Sequence, residues 1–347
     1  MKKNIFIPVV GQFTNVGDAM HRRELLGWLN EIGTLHVFVG NAPECFVEAL
    51  DLPVSAKVYT SLARWLGHLL LSPYKRTHFV FNPGEITVGK RRLIFECLLL
   101  PFEWIIKIKR GKVMRIGIAA VSNANVKYRR FWFFIFKQSD KIYWRTIQSS
   151  QLFGLGEVIP DLAFYSPKFN AIDNQREYLV VSMRNDRPVP SVAWINSIRF
   201  FAHQHGLKIA VVSQVRMDNE RGIFLAEKLQ AKKFLWDDNV GHNSQEELVR
   251  KLYLKTRIVV SDRLHVLIAA ITNGALPSVI LTQASDKIKD HFDVVGIQDI
   301  SYLSSTEEQN VKFLNEQIDR RDEVYAAVYQ AQNRLSQVRA EVCEILK

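Results

Sequence analysis

The sequence predicts an α/β protein: two Rossmann-like domains facing a cleft, with C-terminal helices. Short apolar runs alternate with helical patterns along most of the 347 residues, as they do in parallel doubly wound sheets. The alternation is interrupted once, by a polar, aperiodic stretch at Ser166–Arg176, and then restarts. That interruption divides a first domain, residues 1–165, from a second, residues 177–305. Beyond Thr306 the strands stop, and residues 306–347 read as one or two charged amphipathic helices.

In chain order, Asn4–Val10 read as a buried strand, Gly11–Asp18 as a glycine-containing loop and Ala19–Ile32 as a helix, with Asp18 placed to cap it. This is the opening of a Rossmann-like unit without the full GxGxxG spacing. Gly17 offers a place where backbone can approach a ligand closely. Strands follow at Leu35–Gly40, Lys57–Tyr59 and Thr77–Phe81, with helices at Pro43–Leu50 and Ser61–Leu71. Asn82-Pro83-Gly84-Glu85 reads as a turn at a strand's C-terminal end, where open α/β sheets bind ligands. An apolar helix at Leu93–Ile106, strands at Met114–Ala120 and Asp140–Trp144, and a short helix to Leu152 complete the first half.

The second half repeats the pattern. Strands are expected at Glu177–Met183, Leu207–Ser213, Lys233–Trp236, Arg257–Val260 and Pro277–Leu281. Helices are expected at Ser191–His205, Glu220–Leu229 and Ser244–Leu254, the last opened by Ser244 with Glu247 three residues on, a capping-box pattern. After Val260 comes Ser261-Asp262-Arg263-Leu264-His265, leading into an almost wholly apolar helix to Thr272. Ser261 or Asp262 can cap that helix, and Arg263 and His265 then fall in its first turn. Unpaired N–H groups and a partial positive charge gather there, so two cationic or titratable side chains add to a place suited to an anion.

Hydrophobic residues make up 48% of the chain, too many for a disordered protein. The formal net charge of +11 points to anionic partners: nucleic acid, phosphorylated small molecules or an acidic membrane surface. Cys45, Cys97 and Cys343 are far apart and form no CxxC or zinc spacing, which makes a reduced cytoplasmic compartment the expectation. The N-terminal apolar run is too short for a signal peptide, and no stretch reaches the roughly 18 apolar residues of a membrane span.

Between Lys90 and Lys137 the chain surrounds apolar and aromatic segments with Lys90, Arg91, Arg92, Lys107, Lys109, Arg110, Lys112, Arg115, Lys127, Arg129, Arg130 and Lys137. A basic rim around apolar bulk suits docking on an anionic bilayer. The same pattern also fits two core helices with solvated basic ends. Interleaved aromatics and basic residues occur in nucleic-acid platforms as well, but no RNP, KH or zinc-finger pattern accompanies them, so no nucleic acid is expected.

Two Rossmann-like halves with a cleft between them describe the GT-B architecture of many sugar-transferring enzymes. The strand ends of the first half carry Asn15, Gly17, Asp18, Asn82, Glu85, Arg145 and Asp161, a mixed polar set suited to hydroxyl groups. Those of the second carry Arg184, Arg187, Gln214, Asp218, Arg263 and His265, rich in cations suited to carboxylate and phosphate.

Five ordered features resemble the polysaccharide pyruvyl transferase family. They are Asn15-Val16-Gly17-Asp18, Ser139-Asp140 through Arg145 to Ser149, Ile159-Pro160-Asp161-Leu162-Ala163-Phe164, Arg184 at a strand end, and Ser261-Asp262-Arg263-Leu264-His265 continuing to Gly274-Ala275-Leu276-Pro277. Lys287–Gly296, with His291-Phe292, resembles the segment that follows. The resemblance covers about residues 5–300; Asn82-Pro83-Gly84-Glu85 departs from a more glycine-rich family turn.

The resemblance implies transfer of a pyruvyl group from phosphoenolpyruvate to two hydroxyls of a sugar in a surface polysaccharide or its lipid-linked precursor. The product is a cyclic ketal, and phosphate is released. The donor carries a carboxylate and a phosphate and needs two or more cations, for which Arg184 and Arg263 are the expected sources. Asn15, Gly17 and Gln214 are expected at the substrates. Histidine titrates near neutrality, so His265 is the expected acid and Asp18 the expected base or acceptor for the attacking hydroxyl. No metal and no cofactor are expected, with phosphoenolpyruvate serving as donor substrate. A cytoplasmic protein is expected, with an anionic inner-membrane surface as a further partner. A nucleotide-sugar glycosyltransferase of the same architecture and a non-catalytic assembly protein remain alternatives.

Overall fold

The computed structural model describes residues 3–121, 128–169 and 176–347. Lys127 and residues 170–175 of the expected linker lie outside the described residues. The chain forms two compact units. The first comprises residues 1–13, 18–162 and 334–347, and the second residues 14–17 and 163–333.

In the first unit, elements follow in the order β1 (Lys3–Pro8), α1 (Val16–Asn30), β2 (Gly33–Phe38), α2 (Glu44–Ala49), β3 (Lys57–Tyr59), α3 (Leu62–Leu71) and β4 (Thr77–Phe81). Then come β5 (Gly84–Thr87), α4 (Lys90–Ile108), β6 (Val113–Val121), α5 (Arg129–Lys137), β7 (Lys141–Trp144), α6 (Ile147–Phe153) and β8 (Glu157–Val158). The parallel sheet runs β3-β2-β1-β4-β6-β7-β8, with β5 also paired to β6. Strand order reverses between β1 and β4, the point where doubly wound sheets leave a crevice at their C-terminal edge.

The turn expected at Asn82–Glu85 is shorter than the sequence implies. Gly84 and Glu85 already belong to β5, because β6 is long enough to pair β4 at Val113–Arg115 and β5 at Ile118–Val121. Gly117 makes the irregularity between those stretches, with φ of +69°, a conformation glycine adopts freely. Helix α1 begins two residues before Asp18, so Asp18 lies inside its first turn. Asn15 Oδ1 accepts the Gly17 N–H in its place.

The second unit contains β9 (Tyr178–Ser182), α7 (Val192–Gln204), β10 (Lys208–Val212), α8 (Asn219–Leu229), β11 (Lys232–Phe234), α9 (His242–Tyr253) and β12 (Thr256–Ser261). It continues with α10 (Leu264–Thr272), β13 (Leu276–Leu281), α11 (Lys287–Asp293), β14 (Ser301–Leu303), α12 (Glu307–Asp319) and the first part of α13 (Arg321–Leu346). Its parallel sheet runs β11-β10-β9-β12-β13-β14, so strand order reverses between β9 and β12. Helix α9 starts at His242 with Gly241 at its N-cap, which leaves Ser244 inside the helix and the expected capping box unused. The end of α13 belongs to the first unit, where Tyr143 donates to Glu341 (2.6 Å) and Arg334 pairs with Glu157 (3.2 Å).

Both cores are rich in aromatic side chains. Trp28, Trp65, Trp132 and Trp144 are fully buried in the first unit, as are Trp194 and Trp236 in the second. Two buried histidines make the first core sensitive to acid. His36, between Tyr59 Oη (2.9 Å) and Asn4 Oδ1 (3.2 Å), is held down to about 4 by burial, with Lys57 and His68 adding to the effect. Burial, helped by Lys3 and Lys112, likewise holds His78 down to about 4.

Unfolded histidine takes a proton near pH 6.5, whereas these two take it only near pH 4, so the unfolded chain binds more protons between those values. Stability present above pH 6.5 is therefore lost as pH falls towards 4, by at most about 3 kcal/mol per histidine at about 1.36 kcal/mol per pKa unit, and by less where solvent screens the ring. Urea midpoints measured across that range should fall steeply for the native chain and less steeply for His78→Asn. Parallel slopes would overturn the assignment.

Candidate active site

The second unit concentrates its polar groups where strand order reverses. Arg184 follows β9 and Asp262 follows β12, and the Arg184 N–H donates to Asp262 Oδ1 (2.8 Å), tying the two strand ends together. Burial pushes the Asp262 carboxyl up, while the Arg184 N–H and the Arg263 charge draw it down. Arg263, rather than Ser261 or Asp262, takes the N-cap position of α10, and its N–H donates to Ser261 Oγ (3.0 Å). His265 is therefore in the first turn, half-buried in a helix whose other residues are buried.

The two expected arginines have different surroundings. Arg263 donates through Nε and Nη2 to both oxygens of Asp218, at 2.7 and 2.6 Å. Asp218 is 3% exposed and also accepts the Asn185 N–H. The expected donor cation is thus a buried, matched fork, and Asp218 is its counter-ion rather than a separate ligand group. Arg184 makes a similar fork with Asp186 (2.8 and 2.6 Å), but Asp186 is 47% exposed. Hydrogen bonding to Arg184 holds the Asp186 carboxyl down to about 2. An exposed pair contributes roughly 0–1 kcal/mol, whereas breaking a buried one costs about 3–5 kcal/mol. A dianionic ligand can therefore replace Asp186 on Arg184 far more readily than Asp218 on Arg263.

Arg184 lines a recess at this strand edge together with Arg187, Lys287, Asp262, Thr282 and Ser285. Three cations and two hydroxyls around one carboxylate suit a small ligand with two anionic groups. Lys287 is not among the ligand groups expected from the sequence; its place just beyond a strand end, after Leu281-Thr282-Gln283, is the signal that marks it. Gln214, expected at a substrate, is only 1% exposed. Its side chain donates to Tyr253 Oη (2.9 Å), and its backbone carbonyl accepts the Val16 N–H (3.0 Å).

That last bond explains a second difference. Thr14–Gly17 group with the second unit because Asn15 bridges to Val215 and the Arg216 N–H donates to Thr14. Gly17 serves close approach to a side chain, His265. A Cβ at Gly17 would lie 2.3 Å from His265 Cβ and 2.6 Å from its Cγ. Gly17→Ala should therefore displace the His265 ring and destabilise the second unit by about 1–3 kcal/mol. Unchanged imidazole resonances and an unchanged thermal midpoint would contradict this.

In the first unit, Asp18 Oδ2 accepts the Gln12 N–H (3.0 Å) and pairs with Arg22 (3.1 Å). Arg22 also donates to Asn82 Oδ1 (3.0 Å) and to the Asp18 and Val10 carbonyls. Burial pulls the Arg22 guanidinium down and Asp18 pulls it back up. Nearby, Arg145 pairs with buried Asp161 (2.6 Å), with Glu85 at 3.9 Å. Asp18, Asn82, Arg145 and Asp161 are expected here from the sequence, and Arg22 is not. Its position four residues after Asp18, on the helix that leaves the glycine loop, was the available signal.

Two parallel α/β units of this topology define the GT-B-like class. Solved structures share the fold at low identity. UDP-GlcNAc 2-epimerase from Neisseria meningitidis, bound to UDP-GlcNAc, is 10% identical over 99% of each chain, with a TM-score of 0.58. Anabaena HepE in complex with UDP is 12% identical over 100% of this chain and 99% of that one, with a TM-score of 0.57. A glycosyltransferase from Rickettsia africae is 12% identical, with the same coverage and a TM-score of 0.55. No curated protein matches the chain. The family model described as polysaccharide pyruvyl transferase matches residues 15–283. The chain belongs to that transferase family.

Proposed function

We propose that this chain transfers the pyruvyl group of phosphoenolpyruvate to two hydroxyls of a sugar in a surface polysaccharide or its lipid-linked precursor. The observation that carries the reading is the cationic recess of Arg184, Arg187 and Lys287 at the strand edge of the second unit, in a chain of this family. The donor's carboxylate and phosphate match those cations, with Thr282 and Ser285 as further partners. Arg263 then acts indirectly. Its fork to Asp218, which also holds the Asn185 N–H, sets the backbone beside Arg184. Asp18, Asn15 and Asn82 are assigned to the sugar hydroxyls.

In the reaction, a proton reaches the donor's methylene carbon as one sugar hydroxyl attacks the neighbouring carbon. The second hydroxyl then closes the ketal as the C–O bond to phosphate breaks. Of the two hydroxyl protons, one ends on the new methyl group and the other on the departing phosphate. His265 is assigned to the acid step and Asp18 to accepting from the hydroxyl, its Oδ2 being oriented by Gln12 and Arg22. No metal is needed for this balance, and donor and acceptor supply every atom of the products.

Phosphate release from phosphoenolpyruvate across a panel of sugar acceptors tests the reading directly. Thermal stabilisation by a nucleotide sugar, with no response to phosphoenolpyruvate, would favour the nucleotide-sugar glycosyltransferase instead. No response to either ligand, and no phosphate release, would favour a non-catalytic assembly role. Arg184→Ala should weaken phosphoenolpyruvate binding about 10- to 100-fold, the loss of one charged hydrogen-bonding partner at roughly 1.5–3 kcal/mol. Calorimetric affinity unchanged by the substitution would remove Arg184 from the donor site.

A further inference from the structure

Helix α4 buries two acids among its apolar core residues and leaves a second apolar face exposed. Glu96 and Glu103, one face apart by two turns, are both fully buried and pair with Arg115 of β6 at 3.0 and 3.3 Å. Arg115 is itself fully buried, with its guanidinium 3.3 Å from the Phe81 ring centroid. The outer face of the same helix presents Ile94, Leu98, Trp104 and Ile108, which are 46–73% exposed. An amphipathic helix facing water would bury these residues and expose the glutamates. Here Glu96 and Glu103 lie buried beside Leu93, Leu99, Leu100 and Ile106, and a second apolar face stays outside.

Helix α5 extends the exposed apolar face. Leu93 and Leu100 of α4 share a core cluster with Trp132, Ile135 and Phe136 of α5, and Trp104 Nε1 donates to Gln138 Oε1 (3.3 Å). Phe131 and Phe134 of α5 remain on the outside. Exposed Lys90, Arg91, Arg110, Arg129, Arg130 and Lys137 lie on or just beyond the two helices. From Lys90 to Ser139 the sequence has twelve Lys or Arg and only two acids, Glu96 and Glu103, both of them buried.

We propose that the α4–α5 face docks on the surface of an anionic lipid bilayer. Aromatic and aliphatic side chains enter the interface while cations meet lipid phosphates. A second copy of the chain is a poor occupant, because two like-charged rims would face each other. Attachment is peripheral, since no helix among the described residues is long and apolar enough to cross a membrane. Not every expected rim cation takes part. The Lys109 ammonium is committed to the carbonyls of Leu69, Leu70 and Ser72 at the end of α3. The proposal does not depend on the donor chemistry.

Co-sedimentation of the full chain with vesicles tests it. The chain should bind vesicles of phosphatidylcholine and phosphatidylglycerol in equal parts and should not bind phosphatidylcholine alone. Arg129→Gln with Arg130→Gln should weaken binding on the order of twentyfold to thirtyfold, at about 1 kcal/mol per cation. Leu98→Glu with Phe134→Glu should abolish binding. All four sites are exposed, and an unchanged thermal midpoint establishes that the variants fold. Equal binding to neutral vesicles, or binding that survives both pairs of substitutions, would overturn the proposal. So would a native chain that stays off vesicles and self-associates through this face. Phosphate release from phosphoenolpyruvate in detergent-free buffer without vesicles reads the catalytic proposal separately.

Discussion

Arg263→Ala is expected to destabilise the second unit by about 3–5 kcal/mol, because it leaves Asp218 buried without its counter-ion. At roughly 2–4 °C per kcal/mol for a unit of this size, the thermal midpoint should drop on the order of 10 °C. The companion variant separates this role from direct donor binding. Replacing Arg263 and Asp218 together by apolar residues of similar volume should recover most of the lost stability, as such replacements often do. If Arg263 instead contacted the donor, the single variant would keep its midpoint and lose phosphoenolpyruvate affinity. Differential scanning calorimetry with and without donor distinguishes the two outcomes. The contrast with Arg184 rests on exposure: its partner Asp186 is 47% exposed against 3% for Asp218.

His265→Ala should lower turnover by about 10²- to 10⁴-fold, the range for loss of a positioned acid or base. Donor affinity should stay within about threefold, because the cations assigned to the donor are untouched. The substitution also removes the ring packed against Gly17, so a modest loss of stability accompanies it. Single-turnover phosphate release at saturating phosphoenolpyruvate isolates the chemical step. Equal losses in affinity and in turnover would mark His265 as a binding residue and remove it from proton transfer. Gly17→Ala gives an independent check. It leaves the imidazole present but displaced, so it should reproduce part of the turnover loss.

Much of this molecule is legible in one dimension. The alternation of apolar runs and helical patterns is a local property, and it named both sheets and most of their elements to within a few residues. Strand-end positions are also local, so Arg184 and Arg263, which bracket the switch point of the second sheet, could be read from the sequence. The family could be read for the same reason, since its motifs sit at those strand ends and keep their order.

What could not be read depends on which side chain meets which across tens of residues. Arg263 and Asp218 are 45 residues apart, and nothing local says that one consumes the other's charge. Lys287 enters the cationic recess only through the course of the chain after β13. Gly17 looked like a ligand-facing glycine because a loop after a first strand so often is one. The bridge between Asn15 and Val215 carries the loop to the second unit, where Gly17 admits His265.

The basic-apolar stretch shows the division most plainly. Its composition was enough to leave two readings open, a lipid-facing surface or a pair of core helices. Composition does not set the rotation of α4 about its own axis. Arg115, on a strand that follows the helix, pairs with Glu96 and Glu103 on the face that also buries Leu99 and Ile106, and Leu98 and Ile108 stay outside. Sequence thus determined the α/β architecture, the family and the residue types available for an anionic donor, because these follow from local periodicity and ordered motifs. Tertiary structure decided which charges are already matched and which face of a helix meets solvent, because both are settled by contacts between residues far apart in the chain.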